Sequence, residues 1–387
     1  MKKKYDLIVI GGGVLGTFHA YHALRAGLSV LLLEKNTTPS QASVRNFGQV
    51  VPSGMDRIWQ QLGIKSLGIY KDLQQKSDIT VRENGTVYIA SNDEELQLLE
   101  ELAYINRQNN YLSQLLTTKE CLEKYPGLKS SYAKGALFFP EEITVEPRQM
   151  VKKVLDYLTE THALAYQSNA LVTSCNYINN EVVAQTAAGD IFYGSKAIIC
   201  NGSDFKVLYP QLFAASNIEV SKLQLMQTVC QPKNYQIKGS ILTGLSIRRY
   251  ESFQECPSYK EIKSREENSS PASKWGIHIL FKQASDGSII LGDSHQYASV
   301  ENVDTLGFDV DNAIEECMLD EAKKIFELPD YTISHRWLGF YSQCKGKDVF
   351  EYTIDEHIHI VTGIGGKGMT GSPGFSEENI RKIFGLR

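Results

Sequence analysis

The chain has 387 residues, a net charge of −5 and 22% charged side chains. That length supports two substantial domains with a large core. The acidic balance, with no basic run beyond residues 2–4, argues against nucleic acid as a partner, and no stretch approaches the roughly 18 apolar residues of a membrane span.

Residues 7–10 form a short apolar run that suits a buried parallel strand, and Gly11, Gly13 and Gly16 follow as Gly-x-Gly-x-x-Gly. The first glycine permits a tight turn, the second lets backbone approach a pyrophosphate, and the third lets helix and strand pack closely. A helix over residues 15–26 aims its first N–H groups at phosphates. Glu34 closes the next strand, where a carboxylate can accept from ribose hydroxyls. Triplet, flanking strands and acidic end together predict a dinucleotide site. The competing reading is an ordinary turn in a parallel sheet. Residues 2–4 and the apolar run imitate a signal peptide, but three glycines cut the run short and the helix carries His19, His22 and Arg25.

Residues 41–48 are polar and end in glycine, the pattern of a loop entering a helix. Residues 55–76 have helical periodicity through Ile58, Leu62, Leu67, Tyr70 and Leu73. Residues 81–89 predict a hairpin built on Asn84-Gly85. Helices are expected over 94–109 and 118–125, a strand over 136–140, and a helix over 147–161 with Pro147 in its first turn. Residues 165–193 alternate like an antiparallel meander, and 196–202 read as a buried strand ending in a glycine turn. Residues 218–232, 241–250 and 274–297 read as mixed-polarity strands of an antiparallel sheet with one face lining a cavity. Residues 260–274 are the most polar stretch, an exposed mobile loop or fraying helix end. Residues 308–326 form an amphipathic helix, and 358–370 repeat the opening logic of strand, glycine turn and helix.

The seven cysteines are scattered, odd in number and lack a Cys-x-x-Cys pair, as expected of reduced thiols in a cytoplasmic protein. His357 and His359 share a strand face without further ligands, so no metal site is predicted.

The fingerprint Gly11–Gly16, the strand and turn at 197–202 and the glycine-rich segment 362–370 occur in the same order in one known group. Over essentially its whole length the chain resembles the D-amino-acid oxidase/sarcosine oxidase superfamily of FAD-dependent oxidoreductases. Residues 42–48 (Ala-Ser-Val-Arg-Asn-Phe-Gly), 242–253 (Leu-Thr-Gly-Leu-Ser-Ile-Arg-Arg-Tyr-Glu-Ser-Phe) and 292–297 (Gly-Asp-Ser-His-Gln-Tyr) are similar to a branch associated with aminophosphonate breakdown. The resemblance implies an α/β fold, with a Rossmann-like FAD-binding domain (1–80, 145–210, 335–387) interleaved with a substrate domain (81–144, 211–334) on a mixed or antiparallel β-sheet.

It also implies a cofactor site. Gly11, Gly13, Val14, Leu15, Gly16, Glu34 and Lys35 would hold the ADP half of FAD. Ser43, Arg45, Asn46 and Gly48 would reach the pyrophosphate and flavin, with Asn201, Gly202 and Gly339 beside them. Gly365, Gly366, Lys367, Gly368, Met369 and Thr370 would set backbone donors near the flavin pyrimidine, where reduced flavin carries negative charge. Relatives with covalent flavin carry a cysteine where this chain has Gly339, and Cys344 lies five residues on, so the expected FAD is non-covalent. Some oxidases place a lysine over the flavin at the position of Ile290, which leaves the electron acceptor as O₂ or another oxidant.

For substrate, the candidates are Arg248, Arg249, His278, His295 and Arg336, because an aminophosphonate carries up to two negative charges and needs more than one cation. On a strand Arg248 and Arg249 face opposite ways, so at most one lines the cavity. Lys282 shares a strand face with His278, and His335-Arg336-Trp337 offers a cation and an aromatic lid. Flavin amine oxidation needs a neutral amine with its α C–H held for hydride transfer, which is chiefly positioning, so no general base is named. The expected activity is FAD-dependent oxidation of a small anionic amine resembling 2-aminoethylphosphonate, N-alkylated or hydroxylated, followed by imine hydrolysis. The alternative is a sarcosine-, glycine- or imino-acid-type substrate. A flavin-binding protein without turnover and a nicotinamide dehydrogenase are the competing classes; the second gives the Arg45 loop and the C-terminal glycine loop no work.

Overall fold

A computed structural model describes residues 3–266 and 270–386. Lys4–Ile10, Val14–Arg25 and Val30–Leu33 form the opening strand, helix and parallel strand, with Leu7 opposite Val30 and Ile10 opposite Leu33. The opening strand also pairs in parallel with Ile191–Ile199, and that strand with Ile358–Thr362. The sheet is thus assembled from both ends of the chain and its middle, in the order 350–354, 358–362, 191–199, 4–10, 30–33, 165–167. Leu7, Ile8 and Val9 have no solvent exposure, as a strand covered on both faces requires. Helices Val14–Arg25, Arg57–Lys76 and Gly368–Phe384 pack together on one face.

The second sheet runs 296–299, 218–228, 289–292, 280–283, 240–242, 86–90, 135–139, 114–117, with Ile333–Cys344 along the other side of Ile218–Thr228. It is antiparallel except where 240–242 meets 86–90. Residues 335–344, expected with the FAD-binding domain, pair with this sheet along their whole length. Among the described residues no helix is long and apolar enough to cross a membrane.

Several local expectations need correction. The Asn84-Gly85 turn makes no hairpin: Arg82 bridges to Thr144, while Thr86–Ala90 enters the second sheet beside 240–242 and 135–139. The turn hands the chain from one layer to the other. Ala165–Gln167 leaves the predicted meander to pair in parallel with Val30–Leu33. Ile58 fits the helical period yet is 75% exposed.

Residues 241–250 are not one strand. Ser240–Leu242 ends at Thr243, whose hydroxyl donates to the Ile279 carbonyl (2.9 Å), and Gly244–Ile247 is a helical turn. A Cβ on Gly244 would lie 2.2 Å from the Glu95 carboxylate, so the helix Asp93–Gln108 dictates the break. The stretch 274–297 divides into Leu280–Gln283, Ile289–Gly292 and Gln296–Ser299. In the polar stretch 260–274, expected as a mobile loop or fraying helix end, Tyr259–Ser264 and Pro271–Lys274 are helical; its residues 267–269 lie outside the described residues.

Glu142 joins the two layers. It is fully buried, and its Oε1 accepts from Ser53 N and the Tyr111 hydroxyl, each at 2.7 Å. Burial pushes its carboxyl up to about 7 from an ordinary 4.5. With the folded value above the unfolded one, the native state holds the extra proton between them. That stabilisation is complete below about pH 4.5 and is lost as pH rises through 7, a decline of about 3 kcal/mol. Denaturant unfolding across this range should show the decline in the wild type, and Glu142→Gln should flatten it.

Candidate functional site

Where the opening strand ends, Gly11 adopts φ +103° and a Cβ there would fall 2.3 Å from the Cys200 carbonyl. Gly16 is tighter, with its would-be Cβ 1.9 Å from the Gly11 carbonyl. Both glycines are therefore fixed by backbone approaching backbone. Gly13 differs: a Cβ would meet only Ser43 Oγ, at 3.0 Å, and that hydroxyl accepts from Val14 N at 2.9 Å. The start of the helix thus opens onto a cavity.

That cavity measures about 470 Å³, and a second of about 120 Å³ continues it toward Glu34. Gly13, Ser43, Cys200 and Gly202 border both. At the narrow end Glu34 is buried; its carboxylate accepts from Gly12 N (2.8 Å) and Asn36 N (2.9 Å). Lys35 pairs with Asp204 at 2.5 Å, and Asn201 and Gly202 form the facing wall.

FAD fits these residues. The glycine turn leaves room for a pyrophosphate before a helix N-terminus, and the Glu34 carboxylate stands where ribose hydroxyls can donate. Asn201 Oδ1 and Ser221 Oγ are buried on the cavity walls with no hydrogen-bond partner, and a polar cofactor would satisfy them. FAD supplies a hydride acceptor when bound.

Val14, Leu15, Asn46, Gly365, Gly366, Gly368, Met369 and Thr370 line the larger cavity. The Thr370 hydroxyl accepts from Val51 N at 3.0 Å, and Tyr70 donates to the Met369 carbonyl at 2.8 Å, so the start of the Gly368–Phe384 helix is held from both sides. Lys367 lies at the cavity edge bonded to Asp348, with Glu251 at 2.8 Å and Asp56 at 3.4 Å. Burial pulls its pKa down, but Asp348 and Glu251 outweigh this and hold it above the ordinary value. Its charge is spent on these three carboxylates, whose oxygens lie within 4.8 Å of one another; the ammonium stands where a cation would otherwise be needed.

Three cofactor candidates have other work. Arg45 donates to the carbonyls of Ser40 (2.7 Å) and Leu338 (3.0 Å), stitching its loop to the second sheet. Gly48, at φ +73°, admits the Val145 carbonyl, 2.1 Å from where a Cβ would stand. Gly339 lies against the Tyr341 ring, and it is Tyr341 that lines the cavity. Cys344 reaches the wall as well.

At the wide end, Arg249, His278 and His295 line the cavity and Arg248 and Arg336 do not. Arg248 binds Glu95 (2.9 Å) and Glu94 (3.0 Å) behind the helical turn. Arg336 makes a two-pronged pair with Glu315 at 2.5 and 2.6 Å on the outer side. The expected aromatic lid, Trp337, instead donates to the Arg45 carbonyl and lies under Arg148. His335 is exposed. Lys282, opposite Ile290 in register, turns its buried ammonium to the Val145 carbonyl (2.6 Å) and Glu146 (3.3 Å); burial lowers its pKa to about 8.

The Arg249 guanidinium donates to the Gly276 carbonyl (3.0 Å) and the Tyr297 hydroxyl (2.9 Å). His295 Nδ1 lies 3.0 Å from the same carbonyl. A carbonyl only accepts, so Nδ1 carries the proton and Nε2 presents its lone pair. Burial drives the His295 pKa down to about 3, which keeps the ring neutral.

Sequence reasoning passed over Asp293, a buried cavity residue whose Oδ1 is 2.8 Å from His278 Nε2. The two imidazoles stack at 5.3 Å. Burial raises the Asp293 pKa, but His278 and His295 more than reverse this and keep the carboxyl below its ordinary value. Tyr250, also missed, packs its ring edge against His278. The signal for Asp293 lay inside the segment 292–297, where it precedes Ser294 and His295. The donor atoms of His278, Asp293 and His295 fall within 4.8 Å of one another, a spacing a divalent cation could bridge.

A family model for FAD dependent oxidoreductases matches residues 6–378. One of the subunits of opine oxidase from Rhizobium meliloti is 23% identical over 349 residues, 87% of this chain and 81% of that protein. N-methyl-L-tryptophan oxidase of Escherichia coli O157:H7 is 26% identical over 215 residues, covering 54% of this chain and 56% of that protein. Among solved structures, glycine oxidase from Geobacillus kaustophilus superposes with a TM-score of 0.78 at 17% identity, over 99% of this chain and 95% of that one. L-proline dehydrogenase from P. horikoshii gives 0.79 at 18%, over 99% and 94%.

Proposed function

The chain belongs to the FAD-dependent oxidoreductase family, and from that premise we propose that it oxidises a small anionic amine resembling 2-aminoethylphosphonate, N-alkylated or hydroxylated. The observation that carries this reading is the Arg249 guanidinium, fixed at the cavity wall with His278 and His295 beside it. A guanidinium held by neutral partners keeps its full charge for a ligand anion, and a fork suits phosphonate or carboxylate oxygens.

The protein's part is positioning. Arg249 fixes the anion at one wall, and Tyr341 and Leu280 shape an apolar floor. The glycine loop 363–368 holds the cofactor side, so the carbon bearing the amine is presented to a bound FAD. The second reading keeps the chemistry and replaces phosphonate by carboxylate, as in sarcosine, glycine or an imino acid. It is favoured by the Asp293 charge, which offsets part of the cationic wall.

Anaerobic mixing with a panel of amines tests the choice. Bleaching of the flavin band by N-methyl-2-aminoethylphosphonate, with sarcosine inert, is the expected result. Full bleaching by sarcosine with no response to any aminophosphonate would transfer the substrate to the carboxylates.

A further inference from the structure

We infer that Asp293, oriented by His278, is the ammonium pole of the substrate site: it binds the substrate's charged nitrogen while Arg249 holds the anion. The inference rests on the proposed anionic-amine substrate and adds a second pole to it.

The carboxylate is buried and borders the cavity. His278 Nε2, 2.8 Å from Oδ1, must carry its proton because a carboxylate only accepts. His278 Nδ1 is then free to accept from Ser246 Oγ at 3.3 Å, so this ring is fixed in one tautomer. That single donor leaves the carboxylate's remaining acceptor capacity at the cavity. An incompletely satisfied anionic acceptor beside a cavity calls for a donor. His295 adds a second acceptor, since its Nδ1 proton is committed to Gly276 and its ring is neutral.

The Asp293 carboxylate and the neutral His295 ring border the cavity as acceptors for an ammonium, and the guanidinium on the same wall matches an anion. The site is therefore dipolar, complementary to a zwitterion rather than to an anion alone.

The test uses ligands that cannot turn over. The FAD-loaded enzyme is titrated calorimetrically with 2-amino-2-methylpropylphosphonate, whose nitrogen-bearing carbon has no hydrogen, and with 2-methylpropylphosphonate, which lacks the amine. 2-Aminoisobutyrate and isobutyrate form the carboxylate pair. Wild type should bind the zwitterion at least about tenfold more tightly than its deaminated partner, the worth of one charged hydrogen bond. Asp293→Asn should erase that difference and leave the deaminated anion bound as well or better. No preference in wild type, or equal weakening of both ligands in Asp293→Asn, overturns the inference.

Arg249→Met separates this from the substrate reading. Loss of both ligands supports the anion site, whereas retention of both refutes that site and leaves the Asp293 comparison to stand by itself.

Discussion

Replacing Gly16 with valine is expected to give colourless protein. A Cβ at this position would stand 1.9 Å from the Gly11 carbonyl and 3.1 Å from Val9 Cγ1. Neither can yield cheaply, because Gly11 is itself pinned by its N–H to the Leu33 carbonyl at 2.8 Å and by the nearby Cys200 carbonyl. The helix must move off the strand, and the helix start is where a pyrophosphate would be held. FAD affinity should fall at least a hundredfold, read from the flavin-to-protein absorbance ratio after gel filtration. Overpacking should cost about 1–3 kcal/mol of stability in addition. Gly68→Ala is the control. It sits in the Arg57–Lys76 helix with nothing within 4 Å of its would-be Cβ, so it should keep its colour and gain about 0.5–1 kcal/mol. Normal FAD content in Gly16→Val would refute the cofactor placement.

Arg249→Met should lower kcat/KM by roughly a hundredfold or more, because removing one partner of a buried charge pair costs about 2–5 kcal/mol. The loss should appear with every anionic amine the enzyme accepts and should not spread to FAD content. Two neighbouring changes sharpen the result. Arg248→Met breaks the pair with the buried Glu95 and should reduce stability while sparing kcat/KM. Arg336→Met removes a surface fork to Glu315 and should do little to either. If Arg248→Met were the variant that lost activity, the anion site would lie elsewhere.

The cofactor end was readable in the sequence because its glycines answer to local geometry. A turn that must pass another backbone at van der Waals distance can only be built one way, and Gly363 and Gly365 are set by positive φ instead. The substrate end was not readable in this manner. Arg336 looks like any arginine beside an aromatic residue until Glu315, on the Asn312–Ile325 helix, captures it. Arg45 sits in a motif that implies a cofactor contact, yet two carbonyls take its fork. Strand alternation led to the conclusion that at most one of Arg248 and Arg249 faces the cavity. That outcome holds although the segment is a helical turn, because Glu94 and Glu95 hold one of the pair behind it. Asp293 was invisible for a different reason. Its meaning depends on His278, which stands beside it only through an antiparallel pairing in which His278 N donates to the Asp293 carbonyl.

The distribution of the cofactor cavity along the chain has a consequence for biosynthesis. Gly13 and Thr370 face the same space, and the Gly368–Phe384 helix packs against both Val14–Arg25 and Arg57–Lys76. A nascent chain therefore carries its nucleotide fingerprint out of the ribosome long before the opposite wall of the cleft. FAD cannot be captured step by step during translation. The polypeptide must wait, with the strand 191–199 lacking its partner at 358–362 and its first helix uncovered, until residues 358–384 emerge. Cells short of flavin would then accumulate full-length chains exposed to proteases, and riboflavin supply would set the amount of this protein as well as its activity.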